Sequence, residues 1–413
     1  MTPTPRAAAL LALCAAAAIL AGWRVAAVLA AAVVAAIAVD ALRARAAPAV
    51  ERDVAPVVPR GVPSRLAVKV RADGPVRVRQ ALPADVALEP QEADGELTGE
   101  LVARRRGRHV LPAVGVRATG PLGLGAWYHR LGGDAELLVY PDLVGARRLA
   151  LAARRGRLPE SGRRARGSFG LGTAFESVRE YAPDDDVRQI NWRATARLGR
   201  PMSNQYRIDQ DREVRCLLDA GRLSAAACGG GTLLDVALDG LIAVCATADA
   251  LGDRSGALAF ADRVLRDVAP ARMGAGAVAR SLFDVEPVDR DSDYELAFRS
   301  VAGGKRGFVL VLADLVDEAA ARALIDAVPV LARRHEVCVA SVRDDALDGL
   351  LARRPAELRD AYAMTVALEM RRARALAARR VGAAGATVVE ARPERFAGAC
   401  VGAYARAKAR GRA

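Results

Sequence analysis

The sequence predicts a multi-domain chain: an N-terminal transmembrane α-hairpin, a small β-sandwich, then an α/β domain with a largely parallel sheet. Three observations predict it. Two alanine- and leucine-rich runs lie within residues 7–42, broken only by Gly22-Trp23-Arg24. From Ser64 to about Tyr140, short segments alternate apolar and polar residues between Gly, Pro and Asp turns. After Arg212, apolar strand-like runs take turns with helix-like stretches, the pattern of βαβ units.

The hairpin is assigned to residues 1–45. Its runs, Ala7 to Ala21 and Val25 to Val39, are each slightly short for a spanning helix, which needs roughly 17 to 25 apolar residues. Trp23 and Leu42 can extend them into the interface. Helices are required because lipid offers backbone groups no other partner. Arg6 precedes the first run, Arg43, Arg45 and Arg52 follow the second, and Arg24 stands alone in the turn. That excess at the outer ends places the N-terminus and the large domain on the cytoplasmic side. A cleaved signal peptide would account for Arg6, one run and Ala21-Gly22, but not for the second run.

Residues 46–63 carry Pro48, Pro56, Pro59 and Pro63 and read as a stiff connector. The sandwich is assigned to 64–144, with strands over Arg65 to Val70, Pro75 to Arg79, Gly99 to Ala103, His109 to Val116 and Ala135 to Tyr140. Such short alternating strands in quick succession are the mark of a small sandwich. Residues 145–212 form an Arg-rich linker followed by a densely charged and aromatic segment. The linker part, 145–167, reads as a solvated loop or a polybasic contact for lipid or an acidic partner.

Strands are expected at Val214–Leu218, Ser255–Phe260, Gly307–Leu312, Glu336–Val342 and Thr387–Glu390. Helices are expected at Leu233–Ala250, Glu318–Arg334, near Ala356–Ala378, and at Pro393–Ala409, so the α/β domain covers 213–413.

The chain of 413 residues carries a formal net charge of +13 and a pI near 10.1. Nucleic acid is nevertheless a poor fit. Lys occurs only at Lys69, Lys305 and Lys408, and aromatics make up 4% of residues, so base-stacking platforms lack material. A basic face beside a bilayer suits anionic headgroups instead. The six cysteines show no metal-ligand spacing and read as small hydrophobes in a reducing compartment. His109, His129 and His335 are the only histidines, scant material for a catalytic dyad. Gly167–Gly172, Gly229–Gly231 and Gly274–Gly276 contain neither a P-loop nor a dinucleotide fingerprint and read as turns.

Two carboxylates, Asp219 and Asp314, follow apolar strands, at the edge where open α/β sheets bind ligands. This arrangement resembles the von Willebrand factor A fold, whose metal site uses an Asp-x-Ser-x-Ser loop and a later Asp. Here the loop reads Asp219-Ala220-Gly221-Arg222-Leu223, so Gly221 and Leu223 replace both serines. Magnesium wants oxygen ligands, and the resemblance therefore implies a degenerate metal site. Arg222, pairing with Asp219 or Asp314, is the expected substitute for the cation. Helix capping is the structural role open to both Asp residues.

The most distinctive stretch is Arg179-Glu-Tyr-Ala-Pro-Asp-Asp-Asp-Val-Arg-Gln-Ile-Asn-Trp-Arg-Ala-Thr-Ala-Arg197. Asp184, Asp185 and Asp186 could bind a cation or accept Arg forks, yet no nucleophile–base pair accompanies them. An internal salt-bridge clasp is the leading reading. This string resembles the hallmark of domain-of-unknown-function family 58. Gly120-Pro-Leu-Gly-Leu124, Leu218–Arg222, Gly252–Gly256 and Ala313-Asp-Leu315 agree with it.

The resemblance spans essentially the whole chain, with Asp184 standing where the family usually has Gly. It implies a bacterial inner-membrane protein with a von Willebrand factor A-like domain, linked to a MoxR-type AAA ATPase. The expected function is a non-enzymatic adaptor, without a cofactor, in assembly or maturation of envelope or metal-containing complexes. Its expected contact residues are Asp219, Arg222 and Asp314, with Arg179, Tyr181, Asp185, Arg188 and Trp192 in the hallmark. The competitors are a Mg²⁺- or Mn²⁺-dependent adhesion module and an envelope hydrolase using Asp184 to Asp186.

Overall fold

The structure is a computed structural model. It describes residues 2–72, 74–155, 174–182, 187, 190–207, 211–228, 230–316, 318–343 and 345–410. The chain divides into two units, Met1–Tyr140 and Pro141–Ala413.

In the first unit β1 (Thr2–Pro3) leads into α1 (Pro5–Ala21) and α2 (Trp23–Arg43). Thr4 caps α1 by accepting from the Ala7 N–H. Gly22, at φ 81°, turns the chain between the two helices, a conformation that costs glycine nothing. One helix, α2, is long and apolar enough to cross a membrane, with mean hydropathy 2.5. The α1 apolar stretch is shorter.

The strands that follow are β2 (Ala49–Val54), β3 (Val57–Pro59), β4 (Ser64–Arg71), β5 (Val76–Arg79), β6 (Val86–Glu89) and β7 (Glu92–Asp94). Next come β8 (Leu97–Ala103), β9 (Gly107–Leu111), β10 (Val114–Thr119), β11 (Gly125–Leu131) and β12 (Ala135–Tyr140). They form sheets ordered β1-β11-β10-β5-β7, β2-β4-β8-β6 and β3-β12-β9. Alternation does the sorting: Leu97 and Leu101 of β8, and Val114 and Val116 of β10, are fully buried in one shared core. Each such side chain contributes roughly 1.5–3 kcal/mol.

Two expectations change here. The connector over 46–63 carries β2 and β3, because its prolines flank the strands or sit at their ends, where a missing donor is tolerated. Arg52, counted as a flanking charge, lies inside β2 and donates to the Pro112 and Gly133 carbonyls at 2.9 and 3.0 Å. The segment His109–Val116 is not one strand; Pro112 and Ala113 separate β9 from β10.

The second unit opens with α3 (Leu143–Arg154), β13 (Ala174–Glu180), α4 (Trp192–Leu198) and β14 (Met202–Arg207). It continues through β15 (Glu213–Asp219), β16 (Ala227–Cys228), β17 (Gly231–Thr232), α5 (Leu233–Ala250), β18 (Arg254–Phe260), β19 (Val264–Arg272), α6 (Ala275–Leu282) and α7 (Tyr294–Ala302). Last come β20 (Gly307–Leu312), α8 (Arg322–Ala332), β21 (Glu336–Val342), α9 (Asp345–Ala352), α10 (Leu358–Ala383), β22 (Thr387–Ala391) and α11 (Pro393–Ala409).

The main sheet runs β19-β18-β15-β20-β21-β22. Every pairing in it is parallel except β18 with β19. Its central strands carry apolar runs, Cys216–Leu218 in β15, Ala257–Phe260 in β18 and Phe308–Leu312 in β20, because both faces are covered there. Cys216, Leu218, Leu310 and Leu312 point into one core, and Leu217, Val309 and Val311 into the other. The helix α5 carries a capping box in which Thr232 and Asp235 exchange hydrogen bonds.

The expected solvated linker is partly wrong. Residues 143–154 form α3, capped by Asp142, and Ala146, Ala150 and Ala153 are buried on one side. Small alanines at a helical spacing pack against α5 and α11, while Arg147, Arg148 and Arg154 occupy the rest of the surface. The remainder of that linker, 156–167, lies outside the described residues. Helix α8 begins at Arg322, after turns at 318–321 within the expected range. The edge strand β19 was not anticipated; it carries Arg266, Asp267 and Pro270, which suit an exposed edge.

Candidate functional site

Counted within the main sheet, strands stand in the order 3-2-1-4-5-6, and the direction of winding reverses between β15 and β20. That junction is where open α/β sheets take ligands. Asp219 ends β15, and Asp314 lies two residues beyond β20. Both line one small cavity of about 20 Å³, together with Ser224, Leu233, Ala340 and Phe396. A space of that size admits a single water molecule.

Asp219 is buried and surrounded by donors. The Gly221 N–H reaches its Oδ1 at 2.8 Å, Ser292 Oγ donates to the same oxygen, and the Tyr294 hydroxyl donates to Oδ2. Burial, followed by the negative charge of Asp219, pushes the Tyr294 hydroxyl well above its ordinary pKa, so it stays a donor. The Tyr294 ring is held edge-on to Phe260 and Phe298, with centroids 5.4 and 6.2 Å away. Gly221 permits the close approach: a Cβ there would sit 2.2 Å from Ser292 Oγ. The Ser224 hydroxyl closes the loop on the Gly221 carbonyl at 2.7 Å.

Asp314 is held differently. Arg374 Nη2 donates both to Asp314 Oδ1 and to the Val342 carbonyl, and Ser341 Oγ lies 3.3 Å from the same carboxylate. Burial raises the Asp314 carboxyl above its ordinary range, Arg374 and Ser341 oppose the rise, and the charge of Asp219 adds to it.

The Arg222 expectation needs correcting. Its guanidinium pairs with Asp291 at 2.6 Å on the surface, because the 3-10 turn Arg222–Ala225 and a bond from the Arg222 N–H to the Arg290 carbonyl direct it outward. The cation beside the site carboxylates is Arg374, from α10.

A sequence model described as protein of unknown function DUF58 matches residues 177–385. The chain belongs to the DUF58 family. No curated protein matches it. Among solved structures, a cohesin module from the family 33 glycoside hydrolase of Clostridium perfringens ATCC13124 aligns at 9% identity and a TM-score of 0.16. It covers 23% of this chain and 98% of the cohesin, a likeness too low to carry argument.

The hallmark segment of this DUF58 chain folds on itself where it is described. Strands β13 and β14 pair antiparallel. Asn191 caps α4 through the Ala194 N–H at 2.9 Å and reaches Asn204 Oδ1 at 2.7 Å. Arg179 donates to the Glu180 carbonyl at 3.0 Å, and the Tyr181 N–H to the Pro201 carbonyl at 3.0 Å. Trp192 opens α4 and is 70% exposed, so it is a surface group rather than a core anchor. The described ion pair in the hairpin, Arg200 with Glu180 at 3.5 Å, is exposed and contributes little. Asp184, Asp185, Asp186 and Arg188 lie outside the described residues.

The donor set at the DUF58 sheet edge does not fit a resident divalent cation. Both Asp219 oxygens already accept protein donors, and a guanidinium sits on Asp314. Among the described residues no group of three or more His, Cys, Asp or Glu is placed to hold a metal. Two buried thiols are not activated: burial pushes Cys338 up to about 12 and Cys400 well above its ordinary value.

No local pattern in the sequence marks Ser292, Tyr294, Ser341 or Arg374 as site residues. Ser292 and Tyr294 flank the start of α7, an element that was not anticipated. Arg374 is one of many arginines on α10, with nothing local to single it out.

Proposed function

We propose that this DUF58 chain is a membrane-tethered, non-enzymatic adaptor. The two N-terminal helices span the bacterial inner membrane as a hairpin, the β-rich unit is a sandwich, and the α/β unit is a von Willebrand factor A-like head on the cytoplasmic side. Its C-terminal sheet edge receives protein partners, foremost a MoxR-type AAA ATPase, in assembly or maturation of envelope or metal-containing complexes.

The observation that supports this reading is the state of the edge at the winding reversal. Its carboxylates are engaged inward by Ser292, Tyr294 and Arg374, while Arg222 and Asp291 present an exposed ion pair outward. Groups built this way serve recognition better than proton transfer, since among the described residues of this edge no donor is left poised against a nucleophile. The partner class follows from the family resemblance.

Protease applied from outside to intact spheroplasts tests the arrangement. The head should stay uncut until the membrane is permeabilised; digestion before that step, or a processed form free in the periplasm, would overturn the reading.

A further inference from the structure

We propose that the loop Gly120–Gly125 and the start of β11 form a collar seated in the interfacial layer of a phospholipid bilayer, fixing the β-rich unit against the membrane surface. The inference rests on the anchoring reading above and adds a lipid-contacting surface to it.

The root of the hairpin has no flexible stalk. Asp40, in the last turns of α2, is fully buried, and its carboxylate accepts from the backbone N–H groups of Leu122, Leu124 and Gly125 at 2.9, 2.8 and 2.9 Å. Helix and loop touch so closely that a Cβ on Gly125 would lie 2.5 Å from the Ala41 nitrogen and the Ile37 oxygen, and one on Gly120 would lie 2.4 Å from Asp40. The other helix is bound by the same loop. Thr4 Oγ1 donates to the Gly123 carbonyl at 2.6 Å, and Thr2 and Pro3 pair with Ala126 and Gly125. Both helices therefore leave one clamp, and the unit cannot swing about them.

Two observations set the depth of that clamp. Leu124 lines an apolar cleft between the helices with Leu10, Leu13, Cys14, Val33 and Ala36, so the loop reaches the level of side chains that face hydrocarbon. Leu122 beside it is 55% exposed, an apolar group left largely uncovered by the described residues. The part of α2 that precedes Asp40, from Trp23 to Val39, is roughly 25 Å long at about 1.5 Å per residue, against a hydrocarbon core of roughly 30 Å. A helix that crosses the core therefore brings Asp40 and its clamp to the interface.

The chemistry around the root matches the phosphate layer. Arg6 lies beside Gly123, Arg43 and Arg45 are exposed, and the Arg45 guanidinium stands 5.6 Å from the centre of the Trp127 ring. Arginine with tryptophan is the pairing that interfacial belts use. The bilayer is thus the occupant indicated by continuity with α2 and by charge.

The test is a spin label at Leu122→Cys in the full chain, with Cys14→Ala and Cys228→Ser, reconstituted in vesicles of phosphatidylcholine and phosphatidylglycerol. The substitution spares the clamp, because Asp40 holds the Leu122 backbone rather than its side chain. Val110→Cys on β9, 55% exposed in the native chain, supplies the aqueous reference. The ratio of relaxation by oxygen to relaxation by a nickel chelate should be severalfold higher at 122 than at 110. Equal ratios in vesicles that float with bound protein would overturn the collar alone. A chain that fails to float with the vesicles would overturn the anchoring reading and the collar with it.

Discussion

Arg374 donates to the carboxylate of Asp314, a residue 60 positions earlier in the chain. The contact joins α10 to the end of β20, and both side chains are largely buried. Removing one partner leaves the other charge buried and unpaired. Arg374→Ala should therefore cost about 3–5 kcal/mol of stability, read by chemical denaturation in detergent. Pairing Arg374→Met with Asp314→Leu should recover most of it. Equal losses in the single and double variants would remove the ion pair from the account.

Tyr294 and Ser292 saturate Asp219, so each hydroxyl has a measurable worth. Tyr294→Phe keeps the edge-on packing against Phe260 and deletes a single donor, and should cost about 1–2 kcal/mol. Ser292→Ala should cost a similar amount, and the double variant more than the sum, because Asp219 is then left with the Gly221 N–H. Additive losses would indicate that the two hydroxyls act independently of the carboxylate they share.

Divalent cations should do little. With Arg374 on Asp314 and both oxygens of Asp219 engaged, Mg²⁺ or Mn²⁺ should leave the melting temperature unchanged. A rise that Asp219→Ala abolishes would favour the metal-dependent adhesion module instead.

His335 gives a pH dependence whose sign is fixed. It is buried, and its Nε2 has no hydrogen-bond partner among the described residues. Burial first, and then Arg334, hold its pKa below the ordinary 6.5, against the opposing pull of the Ala302 carbonyl and Glu213. The unfolded chain thus takes up the proton more readily, and stability is lost as pH falls through 6.5 toward the folded value. His335→Gln should lose less over that window than the native chain does. Parallel curves would show that His335 titrates alike in both states.

Much of the fold is legible in the residues, for physical reasons that also explain the misses. Leu233–Ala250 and Pro393–Ala409 were read at their observed bounds, since Thr232 and Pro393 mark their starts and their apolar faces are broad. Central strands such as Gly307–Leu312 declare themselves as short, wholly apolar runs. Edge elements do not: β19 is half polar, and α3 hides behind arginines because its buried side is alanine. The site was half legible. Asp219 and Asp314 announce themselves by following strands, whereas Arg374, Ser292 and Tyr294 reach the edge only through tertiary packing. Arg222 is near Asp219 in sequence but not in space, since its side chain turns out to Asp291.

We propose that a partner binds the C-terminal sheet edge of the head, and a quantitative pull-down from native membranes is the sharpest check of that contact. A MoxR-type AAA ATPase should co-purify with the native chain. It should be depleted severalfold by Arg222→Glu, which reverses the exposed charge beside Asp291, and retained by Lys69→Glu on the exposed surface of β4. Absence of the ATPase from the native sample, or equal recovery with both variants, would contradict the account.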